Sequence, residues 1–257
     1  MTEVRAKKAL GQHFLTDRNI AARIADAVEG GGDVLEVGPG MGMLTQFLLS
    51  RTDIVTYGAE IDGESVEYLR AHYPQFASRL VEGDFLTMNL AERFPSGVSV
   101  VGNFPYNISS QIFFKVLENR DSVPQCVGMV QREVAVRLTE KAGSRDYGIL
   151  SVLLQAYYDM EYLFTVSEGV FNPPPKVKSA VIRMRRNSVE HLDCDEALFV
   201  KVVKASFGQR RKMLRNSLRA VFGDFGGAVH PFFTLRAEQL DVPMFVELTR
   251  WVERNKI

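Results

Sequence analysis

Hydrophobic and polar positions follow two alternating periods along the first two-thirds of the chain. Helix-period segments such as MLTQFLLSR, GESVEYLRAHY and SSQIFFKVLEN separate five apolar runs of strand length. The runs are DVLEVG (33–38), IVTYGAEI (54–61), RLVEGD (79–84), VSVVGN (98–103) and CVGMVQ (126–131). This alternation predicts an α/β domain whose strands are parallel, joined by right-handed crossovers and buried on both faces.

The pattern changes in the last third of the chain. Two segments, ILSVLLQAYY and KSAVIRMR, are predicted to form two more strands, paired across the loop that contains FNPPPKV. After Asn187 the spacing is helical over 195–207, 210–222 and roughly 243–254. We therefore predict two domains, 1–187 and 188–257, of which the second is small and all-helical.

Composition narrows the class of protein. The chain has 257 residues, 46% of them hydrophobic and 24% charged, which suits a globular protein with a buried core. No apolar run has the length of a membrane-spanning helix, and we expect no secretory signal because no apolar stretch follows the basic residues near the N-terminus. Two cysteines without a CxxC pair and four scattered histidines predict neither a disulfide framework nor a metal site. We expect a cytoplasmic protein, and nothing calls for more than a monomer.

Charge is unevenly distributed although the formal net charge is zero. Between Val170 and Gly223 there are twelve Lys and Arg but only four Asp and Glu. The densest part, FVKVVKASFGQRRKMLRNSLRAVFG, has seven basic residues and no acidic one. Many such runs are only solvated helix faces, but like charges this close repel each other unless a partner compensates them. The run therefore favours local binding of a polyanion.

A glycine-rich turn follows the first predicted strand. The sequence VLEVGPGMGMLT places Gly38, Gly40 and Gly42 in a G-x-G-x-G spacing, which differs from the G-x-G-x-x-G of dinucleotide sites. Pro39 also removes a backbone amide that a pyrophosphate would use. The turn therefore favours a nucleoside cofactor without phosphates.

Two acidic residues at the ends of the next strands support this interpretation. Glu60 ends the second strand, where a carboxylate can accept hydrogen bonds from both ribose hydroxyls. Asp84 follows the third strand and is predicted to face an adenine edge, with Phe85 beside the ring. Each signal alone is weak, since acidic residues at strand ends are often helix caps. Together with the glycine turn they predict S-adenosyl-L-methionine as the cofactor.

Nearly the whole chain carries the following motifs in order: GQHFL, EVGPGMGMLT, EID, GDFL, GNFPYNIS, VQREVAVRL, FNPPPKVKSAV and FGQRRKMLRNSL. With this ordered set the chain resembles the bacterial small-subunit (16S) rRNA adenine-N6,N6-dimethyltransferases. The resemblance implies a Rossmann-like S-adenosylmethionine-dependent methyltransferase sheet followed by a helical RNA-binding domain. It also implies the target, two adjacent adenosines in a hairpin near the 3′ end of 16S rRNA in the small ribosomal subunit.

The resemblance assigns roles to individual residues. It implies cofactor contacts for His13, which stands where the family usually has Asn, and for Leu15, Gly38, Glu60, Asp84 and Asn103. In NFPY, the Asn103 side-chain oxygen and the Pro105 carbonyl can accept hydrogen bonds from the two N–H groups of an adenine amine, so both are catalytic candidates. Tyr106, and also Phe104, are expected to stack on the extruded base. The RNA-binding candidates are Lys176, Lys178, Arg210, Arg211 and Lys212.

Three alternatives remain at this point. A large-subunit rRNA methyltransferase of the antibiotic-resistance type shares Asn-x-Pro-Tyr, but we expect Ser in place of Pro39 and no FGQRRKMLRNSL there. A DNA adenine methyltransferase is disfavoured because the helical tail has no evident base-reading element. A ribosome-assembly factor with incidental catalysis is the third, and it can coexist with retained activity.

Overall fold

A computed structural model describes Val4 and residues 6–255; for Lys8 it describes only the backbone. The chain forms two compact units, one of residues up to Ala135 together with Asp159–Arg186, the other of Val136–Tyr158 together with the chain from Asn187. Residues 136–158 thus group with the second unit, and the division into domains 1–187 and 188–257 stays a prediction.

The strands of the described chain form two sheets. In chain order they are β1 (Phe14–Leu15), β2 (Asp33–Val37), β3 (Val55–Glu60), β4 (Leu80–Glu82), β5 (Ser99–Asn103), β6 (Gln125–Gln131), β7 (Tyr158–Val166), β8 (Phe171–Asn172) and β9 (Ser179–Arg186). Seven of them form one sheet in the order β4-β3-β2-β5-β6-β9-β7, and β1 pairs with β8. The five strands predicted between residues 33 and 131 are confirmed.

Pairing within the large sheet is parallel from β4 to β6 and antiparallel between β6 and β9. The strand order reverses direction at β2, whose two neighbours are β3 and β5. In an open parallel sheet such a point leaves a crevice outside the carboxyl ends of the strands. The turn after β2 and the end of β5 meet at that crevice.

Helices connect the strands and form most of the second unit. They are α1 (Arg18–Ala27), α2 (Thr45–Leu49), α3 (Gly63–His72), α4 (Leu90–Arg93), α5 (Ser109–Glu118), α6 (Arg132–Thr139), α7 (Ile149–Gln155), α8 (Glu196–Gly208), α9 (Leu214–Phe222) and α10 (Val242–Asn255). A core of α1, β2 and β6 side chains, including Ile24, Val34 and Val127, is fully buried. No helix of the described residues is both long and apolar enough to cross a membrane.

Two predictions about these elements are wrong. The run ILSVLLQ is the helix α7 rather than a strand, because a short apolar run that is buried on most sides has no alternation to distinguish the two. The Gly148 amide donates to the Ser151 hydroxyl at 3.0 Å and closes the start of this helix. The predicted helix 210–222 begins only at Leu214, because Met213 is extended and a turn from Gln209 precedes it.

Candidate active site

A cavity of about 280 Å³ lies at the carboxyl ends of the parallel strands. Its wall is formed by the N-terminal segment 9–14, the turn after β2 and the ends of β3, β4 and β5. Of the residues predicted from the sequence to bind or react, the cavity is lined by His13, Gly38, Glu60, Asp84, Asn103, Pro105 and Tyr106. The structure therefore brings these seven together in one place.

The glycine turn opens one side of the cavity. Gly38 has φ +67°, and apart from its neighbours in sequence no heavy atom of the described chain lies within 4 Å of the position that a Cβ would take. Its amide donates to the Ala59 carbonyl at 2.9 Å, which fixes the turn against β3. The open space beside Gly38 can therefore be filled by an elongated ligand that approaches the backbone closely.

Glu60 is almost fully buried at the end of β3. Its Oε2 accepts from the Gly40 amide and its Oε1 from the Asp62 amide, both at 2.9 Å. Burial raises the pKa of Glu60, and these two backbone hydrogen bonds oppose the increase. Each carboxylate oxygen keeps a second lone pair, so the fixed carboxylate can still accept from a pair of vicinal hydroxyls.

The next wall combines a polar edge with apolar faces. The Asp84 Oδ1 accepts from the Leu86 amide at 2.9 Å, which orients the carboxylate at the cavity. Phe85 is buried on the same wall, and Ile61, directly after β3, lines the cavity while 55% exposed. A flat heteroaromatic ring with hydrogen-bonding edges fits between such groups. Sequence reasoning missed Ile61, because nothing in the sequence distinguishes it from a core residue.

Asn103 is held by the backbone of His13. Its Nδ2 donates to the His13 carbonyl at 2.8 Å, and among the described residues no donor reaches its Oδ1. The amide is therefore oriented with its accepting oxygen available. Pro105 contributes a second acceptor, although its carbonyl also receives the Ile108 amide at 3.2 Å.

The two aromatic residues of the motif differ in position. The Tyr106 ring lines the cavity, its hydroxyl is hydrogen-bonded to the Ser179 hydroxyl, and burial raises its pKa. Phe104 is only 1% exposed and packs edge-on against Phe113, with ring centroids 5.8 Å apart. Phe104 also lines the cavity, but its ring fills the core, so Tyr106 is the better placed of the two rings to stack on a base.

His13 directly precedes β1, and Leu15 is the second residue of that strand. The His13 Nδ1 is 2.8 Å from the Pro173 carbonyl, which only accepts, so Nδ1 carries the proton. Its ring lies 5.3 Å from that of Tyr106. Leu15 is buried in the core opposite Phe171 and does not line the large cavity, but it lines a second cavity of about 40 Å³ that shares Gly38 and Asn103.

The N-terminal segment forms more of the site than the sequence suggested. Gly11 has φ +64°, and a Cβ there would lie 2.4 Å from the Asn107 side-chain oxygen. Lys7 forms an ion pair with Asp62, whose own amide binds Glu60. Burial would raise the pKa of Asp62, but hydrogen bonds from Lys7, Ser65 and Gln12 outweigh it and the pKa is lowered.

Glu36 is a second buried carboxyl beside the glycine turn. Its Oε2 accepts from the Thr45 hydroxyl at 2.6 Å, which links β2 to α2 across the turn. Burial raises the pKa of Glu36 to about 8, against the effect of the Thr45 hydrogen bond, and the nearby Glu60 raises it further. The motif EVGPG contains this residue, but only the structure shows that it has no cationic partner among the described residues.

The basic candidates divide between the two units. Lys176 and Lys178 are exposed between β8 and β9 in the first unit, and Arg211 and Lys212 are exposed in the second. Arg210 is also exposed, but its guanidinium donates to the Tyr147 carbonyl at 2.8 Å and to the Arg145 carbonyl. These contacts give Arg210 a structural role within its own unit.

Comparison with known proteins identifies the family. The family model described as ribosomal RNA adenine dimethylase matches residues 3–229. The chain belongs to this family. It is 57% identical over 252 residues to "Ribosomal RNA small subunit methyltransferase A" of Parabacteroides distasonis, covering 97% of this chain and 94% of that one. A protein of the same name from Cytophaga hutchinsonii is 54% identical over 97% of this chain and 98% of its own.

Solved structures share the fold. A dimethyladenosine transferase from Plasmodium falciparum superposes with a TM-score of 0.77 at 24% identity, over 95% of this chain and 98% of that one. The 23S rRNA methyltransferase ErmE has a TM-score of 0.67 at 29% identity, over 91% and 98%. The Rossmann-like methyltransferase fold is thereby confirmed.

Membership establishes the activity at the level of the family. The chain is an rRNA adenine dimethyltransferase that uses S-adenosyl-L-methionine. The cavity suits this cofactor, because its wall has an open glycine turn, a fixed carboxylate and then a polar edge between apolar faces. Among the described residues no group of three or more His, Cys, Asp and Glu is arranged to hold a metal ion.

Proposed function

We propose that this enzyme dimethylates N6 of two adjacent adenosines in a hairpin near the 3′ end of 16S rRNA, within the small ribosomal subunit, and takes part in subunit biogenesis. Relatives that are 54–57% identical over almost the whole chain carry the name small subunit methyltransferase A, which supports this substrate. The likeness to the 23S enzyme is much lower, at 29% identity. Pro39 and the basic segment FGQRRKMLRNSL also favour the small subunit over the large subunit as the substrate.

The proposed methyl transfer is supported mainly by the fixed orientation of the Asn103 side-chain amide. Its Oδ1 and the Pro105 carbonyl are two acceptors at the cavity for the two protons of an adenine amine. Hydrogen bonds from both N–H groups to these oxygens favour a tetrahedral nitrogen and free its lone pair for attack on a methyl group. The one proton that the methylated nitrogen then loses would pass to water. This is catalysis by positioning and electrostatics, with no covalent intermediate on the protein.

Tyr106 is proposed to stack on the adenine once it leaves the RNA stack. Its hydroxyl is anchored on Ser179 and its ring lies beside His13, so the ring is held before the base arrives. After the first transfer the amine has one N–H group left, and either oxygen alone can accept a hydrogen bond from it. The second methyl transfer therefore needs no rearrangement of the NFPY segment.

The cofactor is proposed to lie along the strand ends from Gly38 to Asp84. Glu60 would accept from the ribose hydroxyls, Asp84 would face the adenine edge, and Gly38 would leave room for the methionine part. S-adenosyl-L-methionine, when bound, supplies an electrophilic methyl group on a sulfonium. His13 would close this site from the N-terminal segment.

The exposed cations Lys176, Lys178, Arg211 and Lys212 are proposed to contact RNA phosphates. Arg210 is set apart from this group because backbone carbonyls occupy its guanidinium. We further propose that the enzyme works as a monomer in the cytoplasm, where small subunits mature.

The substrate is tested by methyl transfer from labelled cofactor to small subunits that lack the modification, with large subunits, free rRNA and DNA in parallel. We expect label in the small subunit alone. Label in the large subunit or in DNA would refute the proposed substrate. A Glu60→Ala variant that no longer binds cofactor but still binds small subunits would separate an assembly role from catalysis.

A further inference from the structure

The motif VQREVAVRL has no part in the site described above, yet it begins beside it. Strand β6 ends at Gln131, which lies opposite Ser179 in the antiparallel pair with β9. The next amide, that of Arg132, donates to the Lys178 carbonyl at 2.9 Å. Arg132 and Lys178 are therefore neighbours across the ends of two strands.

This end of the sheet is linked directly to the proposed base-stacking residue. The hydroxyl of Ser179, which is fully buried, is hydrogen-bonded to the hydroxyl of Tyr106. Tyr106 lines the cavity, and Lys178 precedes Ser179 in the chain. Lys178 is thus one residue away from the group that anchors the ring, and Arg132 is bonded to Lys178 through its backbone.

The cations at this end differ from those farther along the same strand. Arg183 and Arg185 on β9 are paired with Glu161 and Glu29 at 2.6–3.6 Å. For Arg132, Lys176 and Lys178, by contrast, no acidic partner lies within salt-bridge distance in the described part of the chain. Adjacent like charges without a counter-ion repel one another, and an anionic ligand relieves that repulsion.

The position of Arg132 in its helix adds a second observation. Arg132 is the first residue of α6, where the helix dipole disfavours a positive charge. Its side chain is exposed, so it contributes no core packing that would offset the cost. A bound anion at this helix end interacts favourably with both the guanidinium and the dipole.

We propose that Arg132 is a positioning residue that binds an RNA phosphate next to the target adenosine. The inference rests on the proposed function, since a base stacked on Tyr106 brings its own backbone to the rim of the cavity. The planar guanidinium binds a phosphate through two parallel hydrogen bonds, which fixes the nucleotide more closely than a lysine can. Lys176 and Lys178 add charge beside it.

The test compares Arg132→Gln and Arg132→Lys with the wild type in methyl transfer to small subunits over a range of salt concentrations. Arg93→Gln is the matched control, since Arg93 is also exposed in the first unit and has no acidic partner within salt-bridge distance in the part of the chain that the structure describes. We expect Arg132→Gln to raise KM about tenfold. We also expect the slope of log KM against log salt to fall by about one. Arg132→Lys should restore the salt slope but not the full affinity, and cofactor Kd should be unchanged in every variant.

Three results would overturn the inference. One is that Arg132→Gln behaves like Arg93→Gln. Another is that KM rises with an unchanged salt slope, or together with weaker cofactor binding, which would indicate a structural role. The third is that the wild type leaves small subunits unmethylated, which would refute the proposed function and this inference with it, whereas the first two leave the proposed function intact.

Discussion

The His13 carbonyl accepts a 2.8 Å hydrogen bond from Nδ2 of Asn103. Because a carbonyl cannot donate, this contact fixes which end of the Asn103 amide faces the cavity as an acceptor. The bond uses the backbone of residue 13 and is independent of its side chain. An Asn at position 13 would offer Asn103 the same backbone carbonyl as the His of this chain.

Exchange of the residue 13 side chain should have a graded effect. Asn in His13→Asn keeps a donor for the Pro173 carbonyl, and we expect kcat/KM within about threefold of the wild type. In His13→Ala the hydrogen bond to Pro173 and the contact with the Tyr106 ring are both lost. We expect a decrease of about five- to tenfold, measured by methyl-transfer kinetics. Equal activity of His13→Ala and the wild type would show that the imidazole has no role.

Cofactor binding should depend on the ionisation of Glu60. A carboxylate accepts hydrogen bonds from hydroxyls, whereas its protonated form loses part of that capacity. Since burial raises the pKa of Glu60, affinity should decline at a higher pH than an exposed glutamate would give, as pH falls through the raised pKa. Calorimetric Kd measured from mildly acidic to neutral pH checks this. Glu60→Gln should bind more weakly and without this pH dependence, while the exposed Glu67→Gln should match the wild type.

Glu36 should make the stability of the protein pH-dependent. Its pKa is about 8 in the folded chain, compared with an ordinary value of 4.5, so the folded state binds more protons between these values. The free energy of unfolding contributed by this group is therefore fully present below pH 4.5 and is lost as pH rises to about 8. We expect urea unfolding across this range to show that the wild type loses free energy of unfolding relative to Glu36→Gln as pH rises. A constant difference would contradict the assignment.

The two aromatic residues of the NFPY motif should respond in opposite ways. Phe104→Ala leaves a cavity in the core and should lower the free energy of unfolding by about 3–5 kcal/mol. Tyr106→Ala should change stability much less but reduce methyl transfer, because it removes the proposed stacking surface. Tyr106→Phe keeps that surface and should retain most activity. A fully active Tyr106→Ala would argue against stacking.

The sequence predicted the parallel sheet well because each strand is a bounded apolar run that ends in a recognisable turn. It failed for α7, since Val152, Leu153 and Leu154 are all buried and give no period. The sequence also predicted that Arg210 lies on a helix. The chain forms a turn there instead, and the Arg210 guanidinium donates to backbone carbonyls. Such contacts depend on residues distant in the chain.

The sequence predicted which acceptor residues line the cavity, but not the hydrogen bonds that orient them. Strand-end motifs identify Glu60, Asp84 and Asn103 because their positions follow from the sheet. The hydrogen bonds that orient them come from the backbones of Gly40, Leu86 and His13, which side-chain chemistry does not reveal. The exposure of Ile61 and the neighbours of Arg132 likewise follow only from the tertiary structure.

The most direct test of the account is single-turnover methyl transfer by Asn103→Ala to unmodified small subunits, with cofactor Kd measured in parallel. Mass spectrometry of the digested rRNA gives the product. We expect dimethyladenosine from the wild type and a rate at least about a hundredfold lower from the variant, with cofactor affinity changed far less. Near-normal dimethylation by Asn103→Ala would contradict the claim that the fixed amide of Asn103 positions the adenine amine.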